Sequence, residues 1–214
     1  TRYAPREEPR GTIKATPIAP WPGAPLQPIG DPMLAGVGPG SFANRPDVPD
    51  LTFEGTPKII PMRVATDYAV AHQDLDPRGL PVLGADDVVG GRVKDIWVDQ
   101  SEPQIRYLEV ALPLAAEPEP VAAAPATEEG GAEAAPAPVR RAPVAETVLL
   151  PMNFVRVNRK ARNLKVNAIL GRHFINVPRL AQPNQVTLLE EDRISAYYAG
   201  GTLYAKADRA DPWM

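Results

Sequence analysis

Runs of alternating apolar and polar residues, separated by turn-forming residues, predict that this chain is built mainly from β-strands. We expect strands within residues 58–70, 90–99, 105–112, 147–157 and 164–168. In the last of these, apolar side chains alternate with Lys and Asn, which is typical of a strand with one buried face. Short strands at this spacing, joined by polar turns, favour a small closed or partly closed β-barrel.

One helix is predicted near the C-terminus. Thr187 and Glu190 have the spacing of a capping box, and the acidic residues 190–192 complement the positive end of the helix dipole. Capping alone explains this acidic group. The pair Gly200-Gly201 predicts the end of the helix, because glycine is common where helices stop.

Proline content changes the picture at the N-terminus. The chain has 27 prolines in 214 residues, and residues 1–57 are rich in Pro and Gly with little periodicity. One interpretation is a disordered tail. A purely solvated tail would not need apolar side chains, so we favour a long extended arm that becomes ordered along a surface. The apolar residues of this arm are Trp21, Leu26, Ile29, Met33, Val37 and Phe42.

Residues 58–205 form the predicted barrel domain, and a low-complexity segment interrupts it at residues 113–146. Ala, Pro and Glu dominate that segment. Such a composition buries too little apolar surface to offset the entropy lost on ordering, so we expect a flexible insertion in a hairpin loop. Residues 206–214 are predicted to be a loose tail.

Charge and composition exclude several classes of function. The net charge of −3 gives no reason to expect a nucleic-acid partner. Without cysteine there is no disulfide or thiol chemistry, and two histidines argue against a multi-histidine metal site. The glycine-rich residues 36–40 follow no predicted strand, as a phosphate-binding loop would. No Ser or His has the neighbours of a catalytic nucleophile, so we do not expect an enzyme.

Acidic and basic residues are concentrated at one end of the predicted hairpin: Asp99, Glu102, Arg106 and Glu109. One interpretation is a solvated turn with an ion pair that contributes about 0–1 kcal/mol to stability. The other is a partly buried carboxylate cluster. Shared burial and mutual repulsion would raise some of the carboxyl pKa values towards neutrality, and such groups relay protons well.

Several segments in a fixed order across residues 30–205 form a recognisable set. They are Gly30-Asp31-Pro32-Met33, Lys58-Ile59-Ile60-Pro61-Met62, Val93-Lys94-Asp95-Ile96-Trp97-Val98-Asp99, Arg106-Tyr107-Leu108-Glu109-Val110, Leu149-Leu150-Pro151-Met152 and Val186-Thr187-Leu188-Leu189-Glu190-Glu191-Asp192. In these segments the chain resembles the H subunit of the purple-bacterial photosynthetic reaction centre.

The resemblance implies a PRC-type barrel that caps the L and M subunits on the cytoplasmic side. It also implies that the domain shields the quinone sites from water and helps deliver protons to the secondary quinone. In the family motif, an aspartate and a glutamate on or near the proton route fall on Asp99 and Glu102, and Arg106 matches an arginine of the same cluster. The resemblance therefore favours the proton-relay interpretation.

The resemblance also implies partners, cofactors and location. We expect contacts with the L and M subunits, the membrane lipid surface and the light-harvesting ring, and none with nucleic acid. The chain itself is expected to bind no pigment. Bacteriochlorophyll, bacteriopheophytin, quinones and a non-haem iron belong to other subunits of the complex. The location implied is the cytoplasmic face of the bacterial photosynthetic inner membrane.

This sequence departs from the family pattern at three places. The family's N-terminal transmembrane helix is absent from this chain, and we expect that it was removed, omitted or lost. Surface histidines near the family's proton entrance are missing, and Asp50 or Glu54 are the candidates to replace them. The hairpin that holds residues 113–146 is short in the family. Two other interpretations remain open: a free PRC-barrel adaptor in ribosome maturation or RNA processing, and a soluble enzyme.

Overall fold

The computed structural model describes residues 14–113 and 146–209, which form nine strands and one α-helix. The predictions of a mainly β fold and a single C-terminal helix are confirmed. The elements are β1 (Ala15–Pro17), β2 (Leu26–Pro28), β3 (Ile59–Pro61), β4 (Pro81–Leu83), β5 (Val89–Asp99), β6 (Gln104–Ala111), β7 (Thr147–Pro151), β8 (Val155–Asn158), β9 (Asn163–Val166) and α1 (Leu188–Tyr204).

Seven of these strands form one curved sheet in the order β7-β6-β5-β4-β9-β8, and β3 pairs with the end of β5. All the pairs are antiparallel except β4 with β9. The two edge strands, β7 and β8, are joined directly by the short 3-10 turn Met152–Phe154. The sheet is therefore a partly closed barrel. β1 and β2 form a separate small hairpin.

The core lies between the barrel and α1. Tyr197 and Tyr198 are fully buried, and each hydroxyl has a partner, as a buried tyrosine requires. Tyr197 donates to the carbonyl of His173 at 2.8 Å, and Tyr198 donates to the carbonyl of Leu149 at 3.2 Å. The Tyr198 ring also stacks on Phe154, with centroids 5.5 Å apart. α1 is thus fixed both to β7 and to the 3-10 segment Gly171–Asn176, which precedes the helix in the chain.

The helix does not end at the two glycines, so this part of the helix prediction is wrong. α1 continues to Tyr204, and both glycines are buried within it. A methyl group on Gly201 would lie 2.7 Å from the carbonyl oxygen of Ala168 and would strike the Ile169 side chain. Glycine is needed here because the helix backbone approaches the barrel too closely for a side chain.

The described part of the predicted N-terminal arm has little regular structure beyond β1 and β2. Its later part lies on α1 of the same chain. The guanidinium of Arg193 is 5.6 Å from the centre of the Phe42 ring, and the Thr187 hydroxyl donates to Asp47 at 2.7 Å. Gly40 also lies close to Gly200 in the later part of α1, so the surface that contacts this segment is the chain's own helix.

The predicted strand at residues 58–70 is correct only as far as Pro61. The N–H of Met62 still donates to the Ile96 carbonyl at 2.8 Å, and the chain then turns, with the N–H of Ala65 bonded to the Pro61 carbonyl at 3.0 Å. β4 was not predicted, because its three residues are too short to show alternation. Within the described ranges, no helix has the length and apolar character needed to cross a membrane.

Of the predicted insertion, only Pro113 and Glu146 are described, and residues 114–145 lie outside the described ranges, as do residues 210–214 of the tail. The strands on either side pair in regular register, from Tyr107 with Pro151 to Ala111 with Thr147. Beyond them, the N–H of Leu112 donates to the carbonyl of Glu146 at 2.9 Å. The base of the hairpin is therefore closed.

We expect Gly201→Ala to lower the free energy of unfolding by about 1–3 kcal/mol, since overpacking outweighs the helix propensity of alanine. Thr202→Ala is the matched control, because Thr202 is exposed on the same turn of α1. Denaturant unfolding of both variants measures the difference. Equal stability of Gly201→Ala and the parent would contradict the close approach.

Replacing residues 114–145 with a short turn should leave folding intact, and with it assembly into the complex that the resemblance implies, because the hairpin base is already closed and loop closure depends only weakly on length. The melting temperature should change by no more than about 4 °C. Copurification with the complex measures assembly, and loss of copurification would mean that the segment makes required contacts.

Candidate functional site

Asp99 ends β5 with its side chain buried, at 1% relative exposure. Its Oδ1 accepts hydrogen bonds from the backbone N–H groups of Ser101 at 2.9 Å and Glu102 at 3.1 Å. Aspartate commonly stabilises turns in this way. The carboxylate therefore closes the β5–β6 turn with one oxygen and keeps the other for a charged partner.

That partner is Lys58, which lies immediately before β3. Its Nζ is 3.6 Å from Asp99 Oδ2 and 3.9 Å from Asp50 Oδ2. The Asp50 side chain is about half exposed, at 48%. Backbone bonds from Lys58 N–H to the Asp50 carbonyl at 2.8 Å and from Gln100 N–H to the Lys58 carbonyl at 2.9 Å fix the lysine. Lys58 thus connects a buried carboxylate to one that reaches solvent.

The N-terminus of α1 brings a second acidic pair, Glu191 and Asp192, close to Asp99 and Asp50. Glu190 completes the predicted capping box around the N-cap residue Thr187, and its carboxylate accepts from Thr187 N–H at 2.9 Å. Glu191 instead accepts a hydrogen bond from the Tyr107 hydroxyl at 2.7 Å. Asp192 pairs with Arg45 of the arm at 3.2 Å. Capping therefore accounts for one of the three acids only.

Together these side chains line a polar cleft of about 240 Å³ between the arm, β3, the β5–β6 turn and α1. Four carboxylates and three cations line it, and we call it the charged cleft. Its ionisable carboxylate and cationic members are Asp50, Asp99, Glu191 and Asp192 with Arg45, Lys58 and Arg106.

Glu191 has the electrostatic environment of a proton carrier. Burial raises its pKa, and Asp50 raises it further, whereas the hydrogen bond from Tyr107 and the charge of Arg106 lower it. The net pKa lies above the ordinary value for glutamate. A carboxyl group shifted towards neutrality inside a cleft of ion pairs can accept a proton and release it again.

The predicted site residues separate into two groups. Asp99 and Arg106 line the charged cleft, and so does Asp50, one of the two candidates for proton entry. Glu102 is exposed and accepts a hydrogen bond from Gln104 Nε2 at 3.0 Å. Glu54 is exposed in the turn that precedes Lys58. Neither Glu102 nor Glu54 lines the cleft.

Glu109 does not join the others, and its predicted place in the cluster is corrected. Glu109 is three positions after Arg106 on β6, but it does not line the charged cleft. Glu109 is buried and accepts hydrogen bonds from Arg63, from Lys94 at 3.1 Å and from Trp97 Nε1 at 3.2 Å. Burial raises its pKa, but these three donors outweigh burial and hold the pKa below its usual value. Glu109 is therefore a fixed anion.

Five ionisable residues that line the cleft were not predicted as site residues: Arg45, Lys58, Tyr107, Glu191 and Asp192. One signal in the sequence could have found Glu191 and Asp192. A capping box uses a single acidic residue, so two of the three acidic residues at 190–192 had no role. These residues come from parts of the chain that are distant in sequence from Asp99, so the local sequence pattern does not show that they lie near it. In the described part of the chain, no group of three or more His, Cys, Asp or Glu side chains is arranged to hold a metal ion.

Two family models match the chain. The model of the photosynthetic reaction centre H-chain N-terminal region matches residues 1–64, and the PRC-barrel domain model matches residues 71–172. The second region covers β4 to β9. The cleft draws Lys58 from the first region, Asp99 from the second, and Glu191 from beyond both.

The raised pKa of Glu191 predicts how the stability of the fold depends on pH. The folded state binds this proton more tightly than the unfolded state, so its effect on stability becomes unfavourable as pH rises above the ordinary value of 4.5. Glu191→Gln removes this term and keeps an acceptor for Tyr107. We expect its stability relative to the parent to improve between about pH 4 and pH 7.

Chemical unfolding at several pH values measures this difference, and Glu102→Gln is the control at an exposed position outside the cleft. A Glu191→Gln variant whose relative stability stays constant with pH would contradict the assignment.

Proposed function

We infer that the chain, which belongs to the family of photosynthetic reaction-centre H subunits, is a subunit of that complex. We propose that it caps the L and M subunits on the cytoplasmic side. In this position it shields the quinone sites from water and conducts protons to the secondary quinone. Reduction of a quinone to a quinol consumes two protons, and a quinone enclosed by protein needs a defined path to receive them.

The charged cleft is the observation that carries this proposal. Asp50 is half exposed, Lys58 bridges it to the buried Asp99, and Glu191 lies in the same cleft with a raised pKa. Carboxyl groups that lie close together can pass a proton from one to the next. In this proposal Asp50 receives protons from solvent, while Asp99 and Glu191 pass them inward.

The exposed surface of the arm supports the capping role. Apolar side chains scattered along a soluble surface are ordinary, but a run of large ones on one segment is typical of a contact surface. Along this arm the large, substantially exposed apolar residues are Ile18, Trp21, Leu26, Ile29, Leu34, Phe42, Val48, Leu51 and Phe53. We propose that they lie against the L and M subunits and the adjoining lipid surface.

The proposed role is structural and protonic, without catalysis in this chain. Light absorption and electron transfer would belong to the pigments, quinones and iron of the other subunits. An RNA-binding adaptor is the weaker alternative, because the N-terminal match is to a reaction-centre subunit and the overall charge is negative.

We expect Asp99→Asn in the assembled reaction centre to slow proton uptake after the second flash on the order of tenfold, because the amide keeps the turn but cannot ionise. Asp87→Asn is the matched control, since Asp87 is exposed and outside the cleft. A pH-indicator dye measures uptake. Unchanged kinetics in an Asp99→Asn complex with normal pigment content would contradict the proposal.

A further inference from the structure

A cavity of about 490 Å³ lies within the barrel wall and shares no lining residue with the charged cleft. Its inner surface is formed by core side chains, including Val98, Leu108 and Leu164, each at most 4% exposed. The volume falls within the range of about 300–1,000 Å³ typical of small-ligand sites. The interior therefore suits an apolar group of ligand size.

The outer wall of this cavity is the connection between β3 and β4, which contains neither helix nor strand. Tyr68 and Val70 of this connection are partly buried against the core and line the cavity. Local turns hold the wall, with Tyr68 N–H bonded to the Ala65 carbonyl at 3.1 Å and Asp74 N–H bonded to the Ala71 carbonyl at 2.9 Å. The ends of the connection are bonded to the barrel, but among residues 66–78 the one hydrogen bond to another part of the described chain is that from Arg159 to Asp74.

The hairpin beside the cavity carries an excess of positive charge, although the whole chain is acidic. The β8–β9 hairpin, residues 156–165, carries five Lys and Arg residues and no Asp or Glu. Arg159 of this hairpin lines the cavity and pairs with Asp74 of the wall at 3.2 Å. Both side chains are more than half exposed, at 68% and 55%. Such a pair contributes little to stability, so a ligand anion can take the place of Asp74.

We propose that this cavity binds the alkyl chain of an anionic amphiphile and that Arg159 holds its acidic head group. An apolar interior with one weakly paired arginine at its edge favours a ligand with a hydrocarbon body and one negative end. The excess charge of the hairpin draws the head group in. The same chemistry is shared by a free fatty acid and by an anionic membrane lipid.

The first test is a chain-length series on the full chain, with octanoate, decanoate and dodecanoate below their micelle concentrations. Isothermal titration should show affinity rising roughly tenfold for each added pair of methylenes until the cavity is full. Dodecyltrimethylammonium has the same tail with the opposite charge and should bind at least about tenfold more weakly than dodecanoate.

The second test separates the cavity from general attraction of anions. Arg159→Gln should lower dodecanoate affinity by about tenfold, whereas Asp74→Asn should raise it, because the competing carboxylate is gone. Arg156→Gln is the matched control, since it removes the same charge from the same hairpin outside the cavity lining. Ala71→Phe places a ring at the cavity wall and should weaken binding without disturbing the core.

Vesicles of phosphatidylcholine with and without phosphatidylglycerol identify the source of the ligand. Binding to dodecanoate with Arg159-dependent attachment to the anionic vesicles assigns a membrane lipid, and binding to dodecanoate alone assigns a free fatty acid. Three outcomes would overturn the proposal: affinity independent of chain length, equal losses in Arg159→Gln and Arg156→Gln, or displacement of dodecanoate by a short RNA.

Discussion

Hydrogen bonding along both edges of β5 is the constraint on which the rest of this structure depends. β6 pairs along almost its whole length, while β4 covers the start and β3 covers the end of the opposite edge. A strand held in this way cannot slip, because a shift of one residue would move its buried side chains to the wrong face. Asp99 is consequently fixed at a buried corner where a turn, a lysine and a helix meet.

The docking of α1 completes that corner. Gly201 allows the helix backbone to touch the barrel, and the two buried tyrosines fix its rotation. Its N-terminus then delivers Glu191 to the hydroxyl of Tyr107 on β6. The arm adds Arg45 and Asp50 from a third part of the chain. A small error in helix placement would therefore separate the members of the charged cleft.

Burial has opposite consequences for two glutamates in this fold. Glu109 is surrounded by Arg63, Lys94 and Trp97, so it stays ionised and holds strands and loops together. Glu191 has a neutral tyrosine as its direct donor and other carboxylates nearby, so burial prevails and its pKa rises. The neighbours, and not the extent of burial alone, decide which carboxylate can carry a proton.

The sequence by itself determined what local periodicity and capping encode: the mainly β class, the long β5 and β6 strands, the start of α1 and the end-of-strand position of Asp99. It did not determine the helix end at Tyr204, the short β4 strand or the separation of Glu109 from Arg106. Only the tertiary structure decided those features, and only it brought Lys58, Glu191 and Arg45 to Asp99. Local patterns record how each segment meets its own neighbours, whereas the charged cleft exists because segments more than 100 residues apart pack together.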